Sequence, residues 1–149
     1  MKPSIIICDI DWVLANEQAR RKKYLEQSPK DYDGYYSDVK NDWHISHLWS
    51  FLNGRKIIFI TGRRESCRKQ TLDWLDKRPY LKAKTDNLLM RRDHDCRPAV
   101  DLKEIHLIQL LQEYDVTLAI DDNQDICRMY NRYGIPTMCC RFYDLETHN

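Results

Sequence analysis

Glycine is scarce in this chain: four in 149 residues, none adjacent to another. There is no Gly-rich phosphate loop, neither GxxxxGK[ST] nor GxGxxG, so the backbone cradles that hold nucleoside triphosphates and dinucleotides are absent. No apolar run approaches the roughly 18 residues of a membrane span. The first residues carry one lysine and a short apolar run that leads straight into acids, which is not the pattern of a secretory signal. The six cysteines (Cys8, Cys67, Cys96, Cys127, Cys139, Cys140) form no CxxC pair and no framework spacing. They read as reduced thiols of a cytoplasmic protein, without a zinc site. Neither sign of charge dominates, since 24 Lys and Arg face 23 Asp and Glu. That total excludes neither nucleic acid nor small molecules, because a basic patch can sit inside a neutral sum. Repeats, low-complexity stretches and linkers are missing too. Residues 1–149 are therefore expected to form one domain with a real core.

What the chain does contain is a set of short apolar runs that stop at polar groups. Ile5-Ile6-Ile7-Cys8 ends at Asp9-Ile10-Asp11, Ile57-Ile58-Phe59-Ile60 at Thr61-Gly62-Arg63, Leu88-Leu89-Met90 at Arg91-Arg92, and Leu118-Ala119-Ile120 at Asp121-Asp122. One such ending is ordinary solvation of a strand end or a turn cap. Their repetition is not, because the carboxyl ends of strands are where an open parallel sheet binds ligands. On an extended chain Asp9 and Asp11 point the same way. Like charges that close repel unless a cation intervenes or one acid keeps its proton.

Strands are expected near residues 4–8, 56–60, 87–90, 116–120 and 137–140. Helices are expected near 38–52, with Val39, Trp43, Leu48, Trp49 and Phe51 on one side and Asn53-Gly54 as the stop. Others are expected near 65–77 with Pro79 ending it, 101–113 with Ile105, Leu107, Ile108 and Leu111 as apolar face, and 125–133 ending at Gly134. Residues from Phe142 onward read as a tail. Strand and helix alternate with no hairpin signal, which predicts an α/β fold: a parallel sheet covered by helices on both faces. The long segment after the first strand, about 12–37, lies where a lid would sit. Its Arg20-Arg21-Lys22-Lys23 run is either a solvated helix face or the source of a cation that folds back over the acids. Tyr32, Tyr35 and Tyr36 more often mean loop packing than a stacking surface, though aromatic rings beside basic groups suit a nucleotide base.

The strand ends gather Asp9, Asp11, Thr61, Arg63, Asp121 and Asp122, with Lys103 at the start of its helix. Four acids without zinc-type ligands suit a hard cation bound through oxygen, hence Mg²⁺. The cations and the hydroxyl suit an anion with three oxygens. Together they describe phosphoryl transfer, in which one carboxylate can attack phosphorus while the other handles the proton. The five histidines (His44, His47, His94, His106, His148) lie in helices, a loop and the tail, so Ser/His/Asp hydrolysis does not fit.

In their order and spacing, Asp9-Ile10-Asp11, Thr61-Gly62-Arg63, Lys103 and Asp121-Asp122 resemble the four motifs of the haloacid-dehalogenase-like phosphohydrolases. Within that superfamily the chain is most similar to the phosphatase half of phage polynucleotide kinase/3′-phosphatases. The resemblance is carried by Asp-x-Asp-x-x-Leu-Ala with Arg20 downstream, Thr-Gly-Arg-Arg-Glu followed by Thr71-x-x-Trp74-Leu75, and Leu89-Met90-Arg91 with Asp95-x-Arg97-Pro98. It continues through Asp115-Val116-x-Leu118-Ala119-Ile120-Asp121-Asp122 and Met129-Tyr130-x-Arg132-x-Gly134-Ile135.

The resemblance implies a Rossmann-like three-layer sandwich with a mostly parallel five-stranded sheet. It implies Asp9 as nucleophile, Asp11 as general acid/base, Thr61 on the phosphoryl oxygens and Lys103 neutralising the aspartyl-phosphate. Mg²⁺ would be held by Asp9, the backbone carbonyl of Asp11, and Asp121 with Asp122. Arg20, Gly62, Arg63, Arg91 and Arg97 are the implied substrate-binding positions. Nucleic-acid 3′ ends or nucleotides are the implied substrates. With no kinase domain in view, a separate kinase or ligase chain is the expected partner.

Two departures stand out. Trp12-Val13 replace the family's usual Gly-Thr at a tight turn, and Ala99 stands where relatives carry an Asp that Asp101 could replace from another angle. The alternatives to a 3′-phosphatase are a small-molecule phosphatase or nucleotidase on the same chemistry, and a non-catalytic phosphate-binding module.

Overall fold

The computed structural model describes residues 1–78, 81 and 85–141. Its centre is a five-stranded sheet of β1 (Ser4–Cys8), β4 (Ile57–Arg64), β5 (Leu88–Arg91), β6 (Asp115–Asp121) and β7 (Thr137–Cys139), in the order β5-β4-β1-β6-β7. Every pairing in it is parallel. The chain leaves β1 in one direction to β4 and β5, then returns past it to β6 and β7. The strand order therefore reverses at β1, and a crevice opens at its carboxyl end.

Residue alternation along β1 builds two cores. Ile5 and Ile7 face α5 (Ala99–Glu113) and α6 (Gln124–Arg132), against Leu107, Leu110, Ile126, Met129 and Tyr130. Ile6 and Cys8 face the other way, with Phe59, toward Trp74 and Leu75 of α4 (Arg68–Asp76) and Leu52 of α3 (Trp49–Leu52). Phe59 and Trp74 are almost wholly shielded from water; each side chain of that size contributes on the order of 2–3 kcal/mol by burial. The predicted three-layer sandwich is present. No helix among the described residues is long and apolar enough to cross a membrane.

The segment between β1 and β4 differs most from expectation. It contains β2 (Ala15–Asn16), α1 (Gln18–Tyr24), α2 (Tyr32–Ser37) and β3 (Trp43–His44). The helix expected over 38–52 is broken into a 3₁₀ turn at Val39–Asn41, then β3, then α3. β3 pairs antiparallel with β2, a ladder for which the sequence carries no hairpin signal because its strands lie far apart in the chain. The break has a cause in Asp42. Two arginines draw its carboxylate inward, and the Trp74 indole donates to its carbonyl at 2.8 Å. With Asp42 turned in, Trp43 turns out and is 49% exposed, although its apolar character suggested a core position.

Other boundaries move less. β4 runs through Thr61, Gly62 and Arg63 instead of stopping before them. A 3₁₀ turn at Glu65–Cys67 precedes α4. α5 starts at Ala99 with Pro98 as its N-cap, and α6 is capped by Asn123 and ends before Gly134, whose φ is +75°. The expected stop at Pro79 and the tail from Phe142 lie outside the described residues.

β1 ends at Cys8, so Asp9 and Asp11 belong to the turn that follows. There Trp12 has φ +67°, the left-handed conformation that favours glycine. Its N–H donates to the Ala15 carbonyl at 2.7 Å, its indole Nε1 donates to Glu17 Oε1 at 2.8 Å, and the Arg141 guanidinium lies 4.0 Å over its ring. The tryptophan thus adopts the turn that a glycine would take and is held in it by its own side chain.

Candidate active site

Two groups of charges meet at the carboxyl end of β1. The first surrounds Asp9. Its N–H donates to the Ile120 carbonyl at 2.9 Å, which ties it to the end of β6. Asp9 Oδ1 accepts from the Ile10 N–H at 2.9 Å and lies 3.1 Å from Lys103 Nζ. Lys103 reaches in from the buried face of α5 and donates to Asp121 Oδ2 at 2.6 Å, while Asp121 Oδ1 accepts from the Asn123 N–H at 3.0 Å. Asp9, Asp121 and Asp122 each bring a carboxylate oxygen within 4.8 Å of the others. Burial, then the Asp121 charge, pushes Asp9 well above the usual carboxylate range against the pull of Lys103. Asp122 is raised as well, chiefly by burial. For Lys103 burial acts against the charge, but Asp9 and Asp121 outweigh it and hold the ammonium protonated. Three carboxylates face Lys103, which pairs with Asp9 and Asp121, with only the more distant charge of Arg141 bearing on Asp122, and the donor set is oxygen alone. That fits a hard divalent cation such as Mg²⁺.

The second group surrounds Asp11. Arg63 Nη2 donates to Asp11 Oδ1 at 2.7 Å and Nε to Oδ2 at 3.2 Å; Arg20 Nη2 donates to Oδ1 at 3.2 Å. Behind Asp11 the same arginines hold Asp42, Arg20 Nε at 2.8 Å and Arg63 Nη2 at 3.1 Å. Arg20 also donates to the Tyr35 carbonyl and lies 4.0 Å over the Tyr35 ring, and Arg63 donates to Thr71 Oγ1 at 3.3 Å. Tyr35 in turn donates its hydroxyl to Glu17. Arg63 is fully enclosed, while the Asp11 side chain is 23% exposed and reaches the crevice. Burial would raise the Asp11 pKa, but Arg63 and then Arg20 overcome it and hold the carboxyl below its usual range. Arg20 Nη2 also lies 3.6 Å from Glu17 Oε2, and Arg21 Nη1 3.9 Å from Glu17 Oε1, so three carboxylates here face three guanidiniums.

The remaining expected positions fall in different places. Thr61 is buried, and its Oγ1 accepts from the Arg63 N–H at 3.1 Å. The Gly62 carbonyl accepts from Arg91 Nε, and Arg91 Nη1 donates to the carbonyls of Asp95 and Arg97, so Arg91 pins the loop after β5 to the end of β4. Arg97 is exposed and paired with Asp95 at 2.6 Å. The Asp11 carboxylate belongs to the arginine group and not to the acid cluster. Asp101 sits on the exposed face of α5, about 200° around the helix from Lys103, and so does not take the place of a carboxylate at Ala99.

Sequence reasoning missed Asp42 and Glu17. Asp42 lay inside an expected helix, and nothing local marks it. Glu17 carried one weak signal, its position ahead of a basic helix.

The sequence profile of the family described as the polynucleotide kinase PNKP phosphatase domain matches residues 3–144. Over 147 residues the chain is 25% identical to a protein of Autographa californica nuclear polyhedrosis virus named as a bifunctional polynucleotide kinase/RNA ligase, covering 95% of this chain and 20% of that one. It is similar to a chain of the Pnkp1/Rnl/Hen1 RNA repair complex, with TM-score 0.72, 25% identity and coverage of 97% of this chain and 44% of that one. It spans less than half the length of either. The class C acid phosphatase of Bacillus anthracis shares the fold, with TM-score 0.70 and 16% identity over 95% of this chain and 67% of that one. With the motif order, the sheet and the profile in agreement, the chain belongs to the haloacid-dehalogenase-like family of polynucleotide kinase phosphatase domains.

Proposed function

We propose that this chain is a Mg²⁺-dependent phosphatase that removes 3′-phosphate from nucleic-acid ends through an aspartyl-phosphate. The observation that carries the reading is the division of charge at the β1 end. Asp9 sits in a cluster short of positive charge, and Asp11 sits beside it in separate, matched contacts. Asp9 Oδ attacks phosphorus as the bond to the ester oxygen breaks; Asp11, which must first take up a proton from solvent against the pull of Arg63 and Arg20, gives that proton to the leaving oxygen. Asp11 then takes a proton from water, which attacks phosphorus, breaks the Asp9–phosphorus bond and releases phosphate. The Thr61 hydroxyl and the Lys103 ammonium hold phosphoryl oxygens through both steps. Asp9, Asp121 and Asp122, with the Asp11 carbonyl, would hold the cation, which when bound favours the ionised form of Asp9 and neutralises phosphoryl charge.

The nucleic-acid substrate is supported by the family profile and by the likeness to the kinase/ligase protein and to the chain of the RNA repair complex. Those relatives also support a kinase or ligase as the partner of this domain. The test is phosphate release from a 3′-phosphorylated oligonucleotide with and without Mg²⁺, beside 3′- and 5′-mononucleotides and the 5′-phosphorylated strand. The expected result is Mg²⁺-dependent preference for the 3′-phosphorylated strand. Equal or faster hydrolysis of mononucleotides would make the enzyme a nucleotidase.

A further inference from the structure

Most of the arginines around the crevice have their donors engaged. Arg20 and Arg63 hold Asp11 and Asp42, Arg91 holds three carbonyls, and Arg97 holds Asp95. Arg64 differs. It follows Arg63 at the end of β4, past a register shift in the pairing with β5, and is partly exposed. Among the described residues its guanidinium makes no hydrogen bond and no ion pair. Instead it lies 4.9 Å from the ring centroid of Tyr36 and 5.7 Å from that of Tyr32.

The two rings come from α2. Tyr32 and Tyr36 are spaced i, i+4 and share a face of that helix, whereas Tyr35 points inward to Arg20 and Glu17. Tyr32 is 43% exposed. Tyr32 and Tyr36 line a shallow depression of about 330 Å³ together with Arg21, Leu25, Glu26 and Lys30, so that two basic groups there outnumber one acid. Tyr36 stands close enough to the active site for the charges of Arg64, Arg91 and Asp11 all to bear on its hydroxyl. The surface thus offers the exposed ring of Tyr32, the partly buried ring of Tyr36 packed edge-on against Tyr35, one arginine with free donors and further basic groups, near the acid that serves the leaving oxygen.

Resting on the 3′-phosphatase reading above, we propose that Tyr32, Tyr36 and Arg64 form a stacking platform for the bases at the 3′ end of a single strand. Aromatic faces stack any base, which makes the platform tolerant of sequence, and a guanidinium with free donors takes a backbone phosphate. The occupant is a strand rather than a peptide because the charge around the rings is mostly basic and the platform adjoins the leaving-group side. It predicts that the enzyme prefers frayed or single-stranded 3′ ends.

The experiment compares wild type with Tyr32→Ala, Arg64→Gln and Tyr36→Leu, the last keeping apolar packing. Three phosphate esters are used: a 3′-phosphorylated single strand, the same end in a blunt duplex, and glycerol phosphate, which has no base. A labelled 3′-hydroxyl strand is added by fluorescence anisotropy. The expected result is a rise in KM of about tenfold for the single strand with kcat held, little change for glycerol phosphate, and matching loss of strand binding. Unchanged KM for the single strand overturns the proposal, as does an equal loss on glycerol phosphate, which would make the platform a structural brace of the lid. If wild type hydrolyses glycerol phosphate but no 3′-phosphorylated strand, the reaction assigned above falls. Anisotropy then decides the platform separately: strand binding weakened in the variants upholds it, and no binding by wild type overturns it.

Discussion

The two charge clusters at the end of β1 are built from the same kinds of groups and are neighbours, yet they are balanced differently. Around Asp9 three carboxylates have Lys103, paired with Asp9 and Asp121, and the more distant pull of Arg141 on Asp122; around Asp11 three carboxylates, Asp11, Asp42 and Glu17, share Arg20, Arg63 and Arg21. The first is incomplete until positive charge arrives, and its geometry suits a site where charge is made and moved. The second is complete without a ligand and holds its acid at a fixed position and angle. Removing a group from the first should therefore change chemistry more than folding. Removing one from the second should damage both.

The sharpest break is Asp9→Asn. Phosphate release should fall by about 10⁴-fold or more, the scale of losing a nucleophile. The thermal midpoint should hold or rise, because one of three crowded carboxylates is gone. A variant that both melts early and retains turnover would show that the cluster is structural.

Next in size is Arg63→Met in the balanced group. It leaves Asp11 and Asp42 short of a partner in a buried site, where breaking an ion pair costs about 3–5 kcal/mol. Urea denaturation should show that loss, and adding Asp42→Leu should recover part of it. Additive losses in the double variant would mean the pair is not coupled.

Mg²⁺ distinguishes the clusters without altering the wild-type chain. At a hundred times its Kd it should stabilise the wild type by about 2.7 kcal/mol, read as a shift in Tm, and Asp122→Asn should reduce that shift. Arg64→Gln, which touches neither cluster, should keep it.

The smallest effect concerns the base of the balanced group. His44 stacks on Trp74 at 3.8 Å, and Trp74 holds the Asp42 carbonyl. Burial, then Arg78 and Lys77, pushes the His44 pKa down to about 4, and its Nε2 is buried without a partner among the described residues. The unfolded chain takes up this proton near pH 6.5, but the folded chain resists it. Stability should therefore fall as pH drops from about 6.5 to about 4, by about 1–2 kcal/mol after allowance for the partly exposed ring. His44→Phe should flatten that part of the pH–stability curve.

The acids Asp9, Asp121 and Asp122, with Thr61, were legible because each follows an apolar run, and a strand that ends in charge is a local signal. Lys103 was legible once a helix was assigned around it. The parallel character of the sheet followed from the alternation of strand and helix, which is local too; the strand order did not. Asp42 was not legible. Its neighbours Val39, Trp43, Leu48 and Trp49 mimic a helical stripe, and the arginines that turn it inward come from α1 and β4, 22 and 21 residues away. Trp12 was read as a departure from a glycine turn. The structure shows a tryptophan in the glycine conformation, held by an indole contact whose geometry no spacing rule supplies.

By itself, then, the sequence determined the five strands of the main sheet, their parallel direction and the acids at their ends, since hydrophobic runs and their punctuation act over a few residues. Only the tertiary structure decided which cation answers which acid. Asp9 went to Lys103 and Asp11 to Arg63, because pairing in a buried crevice depends on distances of about 3 Å between groups far apart in the chain.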